Sequence, residues 1–178
     1  MRAFISINIP CEAPIAKFCD DLKELGVRTV DRDQLHITLK FLGEIKETDV
    51  PQITAVMKNV ASEFRGFNLH LNEAGVFSRR DGSGIVWLGA NDPQPALIAQ
   101  RLDAQLLKLG MPQETKAFKC HITVARPKYG IKQIEKQLIA QTHDFGEYAV
   151  ASFCLMSSIL RPSGPTYKVE SEVHLDEC

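Results

Sequence analysis

Tryptophan occurs once and tyrosine three times in this chain of 178 residues, and no apolar stretch approaches the roughly 18 residues that a membrane span needs. The N-terminal run Met1 to Ile9 is short and stops at Pro10, so it does not read as a secretory leader. Charge of one sign is not in excess: 21 Lys and Arg against 22 Asp and Glu give a net charge of -1. A protein that coats long nucleic acid normally carries a strongly basic face, and the balance argues against that class; it does not exclude recognition of a single phosphate or a nucleic-acid end. The five cysteines (Cys11, Cys19, Cys120, Cys154, Cys178) form an odd set without a C-x-x-C pair, which speaks against a zinc ribbon and a disulfide scaffold. No linker rich in Pro, Gly or Ser divides the chain. A membrane association is not expected, and the cytoplasm is the expected location.

What is present is a core-forming composition, 44% hydrophobic, arranged with alternating strand and helix periods. Phe4 to Ile9 reads as a strand. A helix opening near Pro14 follows, with Ile15, Phe18, Cys19, Leu22 and Leu25 as its apolar stripe and Gly26 as its cap. Leu35 to Leu42 is a strand, Val50 to Val60 a helix, and Phe67 to Leu71 a strand. After the turn Asp81-Gly82-Ser83-Gly84 the pattern restarts: strand Ile85 to Leu88, a helix capped by Asp92-Pro93 and ending at Gly110, strand Phe118 to Val124, and a short helix around Ile131, Ile134 and Leu138. Late strands cover Val150 to Leu160 and Tyr167 to Val173. The order strand, helix, strand, helix, strand thus appears twice. We expect an α+β fold made of a duplicated unit. It would form one domain over 1–178 with two pseudo-symmetric lobes, approximately 1–78 and 79–178, and two mainly antiparallel sheets would flank a central groove with helices outside.

Two segments carry the chemistry: His36-Ile37-Thr38-Leu39 and His121-Ile122-Thr123-Val124. Strand side chains alternate faces, so each imidazole shares a face with the hydroxyl two residues on while the aliphatic neighbours turn to the core. Thr is only eight residues of the chain, so two H-x-T hits among five His arise in roughly 2% of shuffled sequences, which makes the pair informative. Two imidazoles meeting across a groove suit in-line cleavage of a phosphodiester. One takes a proton from water while the other gives one to the departing oxygen, and an ordinary pKa near ~6.5 makes both forms available near neutral pH. The threonine hydroxyls and nearby cations would hold the non-bridging oxygens. The scheme needs neither a metal nor a cofactor.

These segments, His36-Ile37-Thr38-Leu39-Lys40-Phe41-Leu42-Gly43-Glu44 and His121-Ile122-Thr123-Val124-Ala125-Arg126, resemble the paired H-x-T-x signatures of the two-histidine (2H) phosphoesterases. The branch they are most similar to is the RNA 2',3'-cyclic phosphodiesterases, also called 2'-5' RNA ligase-like proteins. Further similar segments are Arg2 to Ile5, Val86 to Gly89, and Leu160-Arg161-Pro162-Ser163-Gly164-Pro165-Thr166-Tyr167, so the resemblance spans nearly the whole chain. Cys120 stands where this branch often carries proline. The resemblance implies a bilobal fold and metal-independent opening of an RNA or nucleotide 2',3'-cyclic phosphate to a 2'-phosphomonoester, with no obligate protein partner. It gives His36 the leaving oxygen as acid and His121 the water as base, Thr38 and Thr123 the phosphate oxygens, and Arg126 a phosphate contact. The pseudo-symmetry of the halves leaves the reverse assignment of the two imidazoles open. The alternatives are joining of RNA halves through a 2'-5' bond in the same groove, and a non-catalytic module that binds an RNA end or nucleotide.

Strict alternation sets Arg126 on the face opposite His121, and it reaches the groove only if the strand stops at Ala125, which Pro127 permits. Lys40 has the parity of His36 but reads as a solvated surface lysine, and no residue of the first half matches Arg126. Arg79, Arg80, Lys119 and Lys128 read as solvated charges that can widen a basic rim. The Cys120 thiol is expected in the core, His70, His143 and His174 in structural or solvated roles, Trp87 in packing, and Tyr167 in stacking on a base.

Overall fold

Among the residues described by the computed structural model, 1–161 and 164–176, the chain runs β1 (Arg2–Asn8), α1 (Ala13–Glu24), β2 (His36–Glu44), α2 (Val50–Ala61), β3 (Phe67–His70), β4 (Glu73–Ser78), β5 (Gly84–Gly89), α3 (Pro93–Leu107), β6 (His121–Ala125), α4 (Ile131–Ile134), β7 (Glu147–Val150), β8 (Ser152–Arg161) and β9 (Gly164–His174). Pro162, Ser163 and Cys178 lie outside the described residues. The expected caps form: Pro14 occupies the first turn of α1, and the Asp92 carboxylate accepts a 2.8 Å bond from the Gln94 amide at the start of α3. The helical stripes bury Ile15, Phe18, Cys19 and Leu22 from α1, Ile53, Met57 and Val60 from α2, and Ile98, Leu102 and Leu106 from α3. They meet Ile37 and Ile122 in one core cluster. Leu25 and Leu109 fall past the helix ends and stay exposed.

Two antiparallel sheets form, as expected for the α+β class. One has seven strands in the order β4-β5-β6-β2-β1-β8-β9, and the other pairs β3 with β7. Exchange β1 with β5, β2 with β6 and β4 with β8, and the first six positions of the large sheet read the same in reverse. The same exchange maps β3 onto its own partner. At the centre β2 meets β6 through Ile37 opposite Ile122, equivalent residues that sit on the pseudo-two-fold.

Strand pairing crosses between the two sequence halves: β4 closes the first repeat and pairs with β5, and β8 closes the second and pairs with β1. Each repeat lends its last strand to the other, and β9 is added at the edge outside the duplication. In each repeat a four-residue strand (β3, β7) and a tight bend precede the exchanged strand. The segment 108–120, expected to join a strand from Phe118, is irregular, and β6 begins only at His121.

Candidate active site

His36 opens β2 and His121 opens β6. One step out from the Ile37–Ile122 pair, antiparallel register sets His36 across from Thr123 and Thr38 across from His121. Two adjoining cavities repeat that pairing. One of about 430 Å³ is lined by His36, Thr123, Arg126, Gln34 and Tyr167, and another of about 660 Å³ by His121, Thr38, Phe41, Phe118 and Asp103. All four of these polar side chains thus share one face of the central seam, while Ile37 and Ile122 are fully buried on the other.

Both rings are held by the same backbone device. His36 Nδ1 lies 2.7 Å from the Gln34 carbonyl oxygen, and His121 Nδ1 lies 2.8 Å from that of Lys119, in each case two residues upstream. A carbonyl can only accept, so Nδ1 carries the proton and donates it. Nε2 is then left to take or give a proton in the groove. Each ring also meets an aromatic edge-on, His36 with Tyr167 at 5.2 Å and His121 with Phe77 at 5.2 Å. His36 also has a second ring against it, Phe4 at 5.0 Å. Burial pushes the His36 pKa below its ordinary value; the Gln34 hydrogen bond opposes this, and the positive charges of Arg126 and His121 add to the downward push. That electrostatic influence of His121 and Arg126 on His36 puts the three groups in one neighbourhood.

Arg126 reaches the groove by a route that alternation does not contain. Thr123 pairs with Trp87 but Ala125 pairs with Val86, so β6 carries one extra residue, a β-bulge at Val124. Val124 and Ala125 both turn inward and are fully buried, and the next residue, Arg126, emerges on the histidine face. The strand also ends at Ala125, as the sequence permits. The same bulge stands in β2: Thr38 pairs with Ser6 and Lys40 with Ile5, leaving Leu39 extra. Its consequence corrects one expectation. Lys40 is not a solvated lysine. The bulge turns it inward, where it is 4% exposed and donates to Asp103 on α3 at 2.5 Å and to the Pro112 carbonyl at 2.6 Å. No first-half cation matches Arg126, as expected: the equivalent position is Phe41, which is 60% exposed and lines the His121 cavity. Superimposing His36-Ile37-Thr38 on His121-Ile122-Thr123 pairs Phe41 with Arg126 at the same offset, a signal already present in the sequence.

Asp103 accepts from the Glu114 amide at 2.9 Å through the oxygen that Lys40 contacts, so one ion pair braces β2, α3 and the 108–120 segment. Burial works against the Asp103 carboxylate; the Lys40 and Glu114 hydrogen bonds and the Lys40 charge outweigh it and hold its pKa below the usual range.

The other residues singled out in the sequence have their own surroundings. Cys120 is buried, and burial raises its thiol to about 11, which removes it as a nucleophile. His70 bonds Asp144 at 2.9 Å, and His143 stacks on Phe145. Trp87 packs in the core against Phe77, with Lys119 Nζ 4.7 Å above its ring and paired to Glu73. Tyr167 lines the His36 cavity and packs on both His36 and Phe4. No helix among the described residues is long and apolar enough to cross a membrane.

Comparison with known proteins repeats the duplication. The family model described as LigT like phosphoesterase matches the chain twice, over residues 7–87 and 89–167. An RNA 2',3'-cyclic phosphodiesterase of Methanocaldococcus jannaschii is 31% identical over 177 residues, covering 97% of this chain and 99% of its own. Another protein of that name, from Thermotoga maritima, is 31% identical over 185 residues, covering 99% and 96%. The crystal structure of TT0787 of Thermus thermophilus superimposes with a TM-score of 0.81 at 29% identity, covering 99% of each chain. That of E. coli LigT complexed with 3'-AMP does so at 0.76 and 25%, covering 98% of this chain and 97% of that one.

Proposed function

The chain belongs to the LigT like phosphoesterase family, and from that premise we propose that it hydrolyses the 2',3'-cyclic phosphate at an RNA end, or on a nucleotide, to a 2'-phosphomonoester. The observation that carries this reading is the pair of imidazoles on one face, each with Nδ1 tied to a carbonyl and Nε2 left for proton transfer.

In the proposed step His121 Nε2 takes a proton from water as the water oxygen bonds to phosphorus. The bond from phosphorus to the 3'-oxygen breaks on the opposite side, and His36 Nε2 delivers its proton to that oxygen. Each positioned transfer supplies about 10²–10⁴-fold. Thr38, Thr123 and Arg126 hold the non-bridging oxygens, where the developing charge is largest. No metal ion enters the scheme. Burial and the neighbouring positive charges depress the pKa of His36. A bound phosphodiester anion brings the opposite charge beside Arg126 and His36, so substrate binding draws a proton onto the ring that must later donate it.

Incubation with 2',3'-cyclic nucleotides should yield the 2'-monophosphate, at a rate that EDTA leaves unchanged; no turnover, or the 3'-isomer, overturns the reading. A substrate with sulfur replacing the 3'-oxygen separates the two imidazoles. Its leaving thiolate needs no acid, so it should restore activity to His36→Asn and not to His121→Asn, and the opposite pattern would reverse the roles. One observation favours a second reading, attack by an RNA 5'-hydroxyl to give a 2'-5' bond. The cavity beside His121, at about 660 Å³, has room for far more than a water molecule. Joined product from spliced tRNA halves would establish it.

A further inference from the structure

Arg126 borders more than the His36 cavity. A second hollow of about 300 Å³ is lined by Arg79, Asp81, Ser83, Gly84 and Lys128 as well as Arg126 itself. Three cations and one carboxylate give it a net charge of +2 in a chain whose total is -1. The carboxylate is engaged: Asp81 accepts from the Ser83 amide at 2.9 Å and the Ser83 hydroxyl at 2.6 Å. The described residues give Arg79 and Lys128 no carboxylate partner within salt-bridge distance.

The hollow is built by two loops that are fixed to one another. Arg79 lies in the β4–β5 turn and Lys128 in the loop after β6. The Gly84 amide donates to the Pro127 carbonyl at 3.1 Å, and the Ile131 amide to the Gly82 carbonyl at 3.4 Å. This approach requires glycine at 84, where a Cβ would lie 2.5 Å from the Phe77 carbonyl oxygen and 3.0 Å from the Ile131 side chain. Arg126 lines both the hollow and the His36 cavity, so an anion in the one and an anion at His36 border the same arginine.

We propose that this hollow is a second phosphate subsite, which holds the internucleotide phosphate next to the terminal nucleoside while the cyclic end occupies the His36–His121 groove; the proposal rests on the cyclic phosphodiesterase reading of that groove. Successive phosphates along one strand are what two anion sites sharing one arginine can accept together. The cyclic phosphate of a mononucleotide fills only the first. The preferred substrate is therefore an oligonucleotide with a cyclic end.

The test compares a dinucleotide bearing an internal 3'-5' phosphodiester and a 2',3'-cyclic end with the matching mononucleoside 2',3'-cyclic phosphate. Neither Arg79 nor Lys128 belongs to the acid–base pair or its oxygen contacts. The double variant Arg79→Gln, Lys128→Gln should lower kcat/KM for the dinucleotide about tenfold or more, as loss of charge-assisted contacts does, and leave the mononucleotide unchanged. The salt dependence of dinucleotide kcat/KM should flatten in the same variant. Equal loss on both substrates, or loss on neither, overturns the subsite. If the unaltered enzyme opens neither the dinucleotide nor the mononucleotide, the activity itself falls and the subsite with it.

Discussion

The β2 and β6 strands use the same backbone and different side chains. Each begins with a histidine whose Nδ1 donates to a carbonyl two residues upstream, each sends a threonine to the same face, and each carries a bulge one residue after that threonine. Past the bulge they part. The second strand delivers Ala125 to the core and Arg126 to the groove, whereas the first delivers Lys40 to the core and Phe41 to the groove. One ring, His36, sits between Phe4 and Tyr167 under the influence of a guanidinium, and the other beside Phe77. The placement of the two imidazoles is a property of the duplicated backbone, while the difference between the two groove ends is written in the residues that follow each bulge.

The largest expected effect tests the shared part. His36→Asn and His121→Asn should each reduce kcat by about 10²–10⁴-fold with the circular dichroism spectrum intact, and a loss confined to one would break the equivalence of the two strands. The next test concerns the brace found only on β2. Lys40→Met leaves the half-buried Asp103 carboxylate without its charged partner and should cost about 1–3 kcal/mol in urea unfolding. Replacing both members together, Lys40→Met with Asp103→Leu, should recover most of that loss. Full stability in the single variant would remove the brace. Third, Arg126→Gln should lower kcat/KM by about tenfold or more and reduce its salt dependence, whereas Phe41→Leu should leave the salt dependence unchanged. Equal salt slopes would erase the distinction between the two groove ends.

The smallest effect is on stability against pH. The folded protein resists protonation of His36, which the unfolded chain accepts near ~6.5. The unfolded state therefore binds more protons as pH falls through that region, and stability drops; above it the ring is neutral in both states and contributes no slope. His36→Gln should flatten the unfolding free energy between roughly pH 7 and 5 relative to the unaltered protein. An unchanged slope would place the titrating group elsewhere.

How far these features were legible in the amino-acid order depends on their range. The H-x-T pairs were, because strand alternation is local and needs no knowledge of partners. The duplication was too, since the helical and strand periods recur. The bulges were not: an extra residue in a ladder depends on which strand lies alongside, and parity counted without it misplaced Lys40. The Lys40–Asp103 pair spans 63 positions, and its members are separately unremarkable polar residues on a strand and a helix. The exchange of β4 and β8 was equally hidden, since their local sequence specifies an extended chain but not its neighbour.

That exchange has a consequence for ancestry. A polypeptide containing one repeat would find the edge for its last strand only on a second copy, and its smallest closed form would be a homodimer with a true two-fold passing between the isoleucines of β2 and its mate. Such a dimer would already present two identical imidazoles at its subunit interface. Fusion of the two genes would then free the copies to diverge, one keeping an arginine beyond its bulge and the other a phenylalanine.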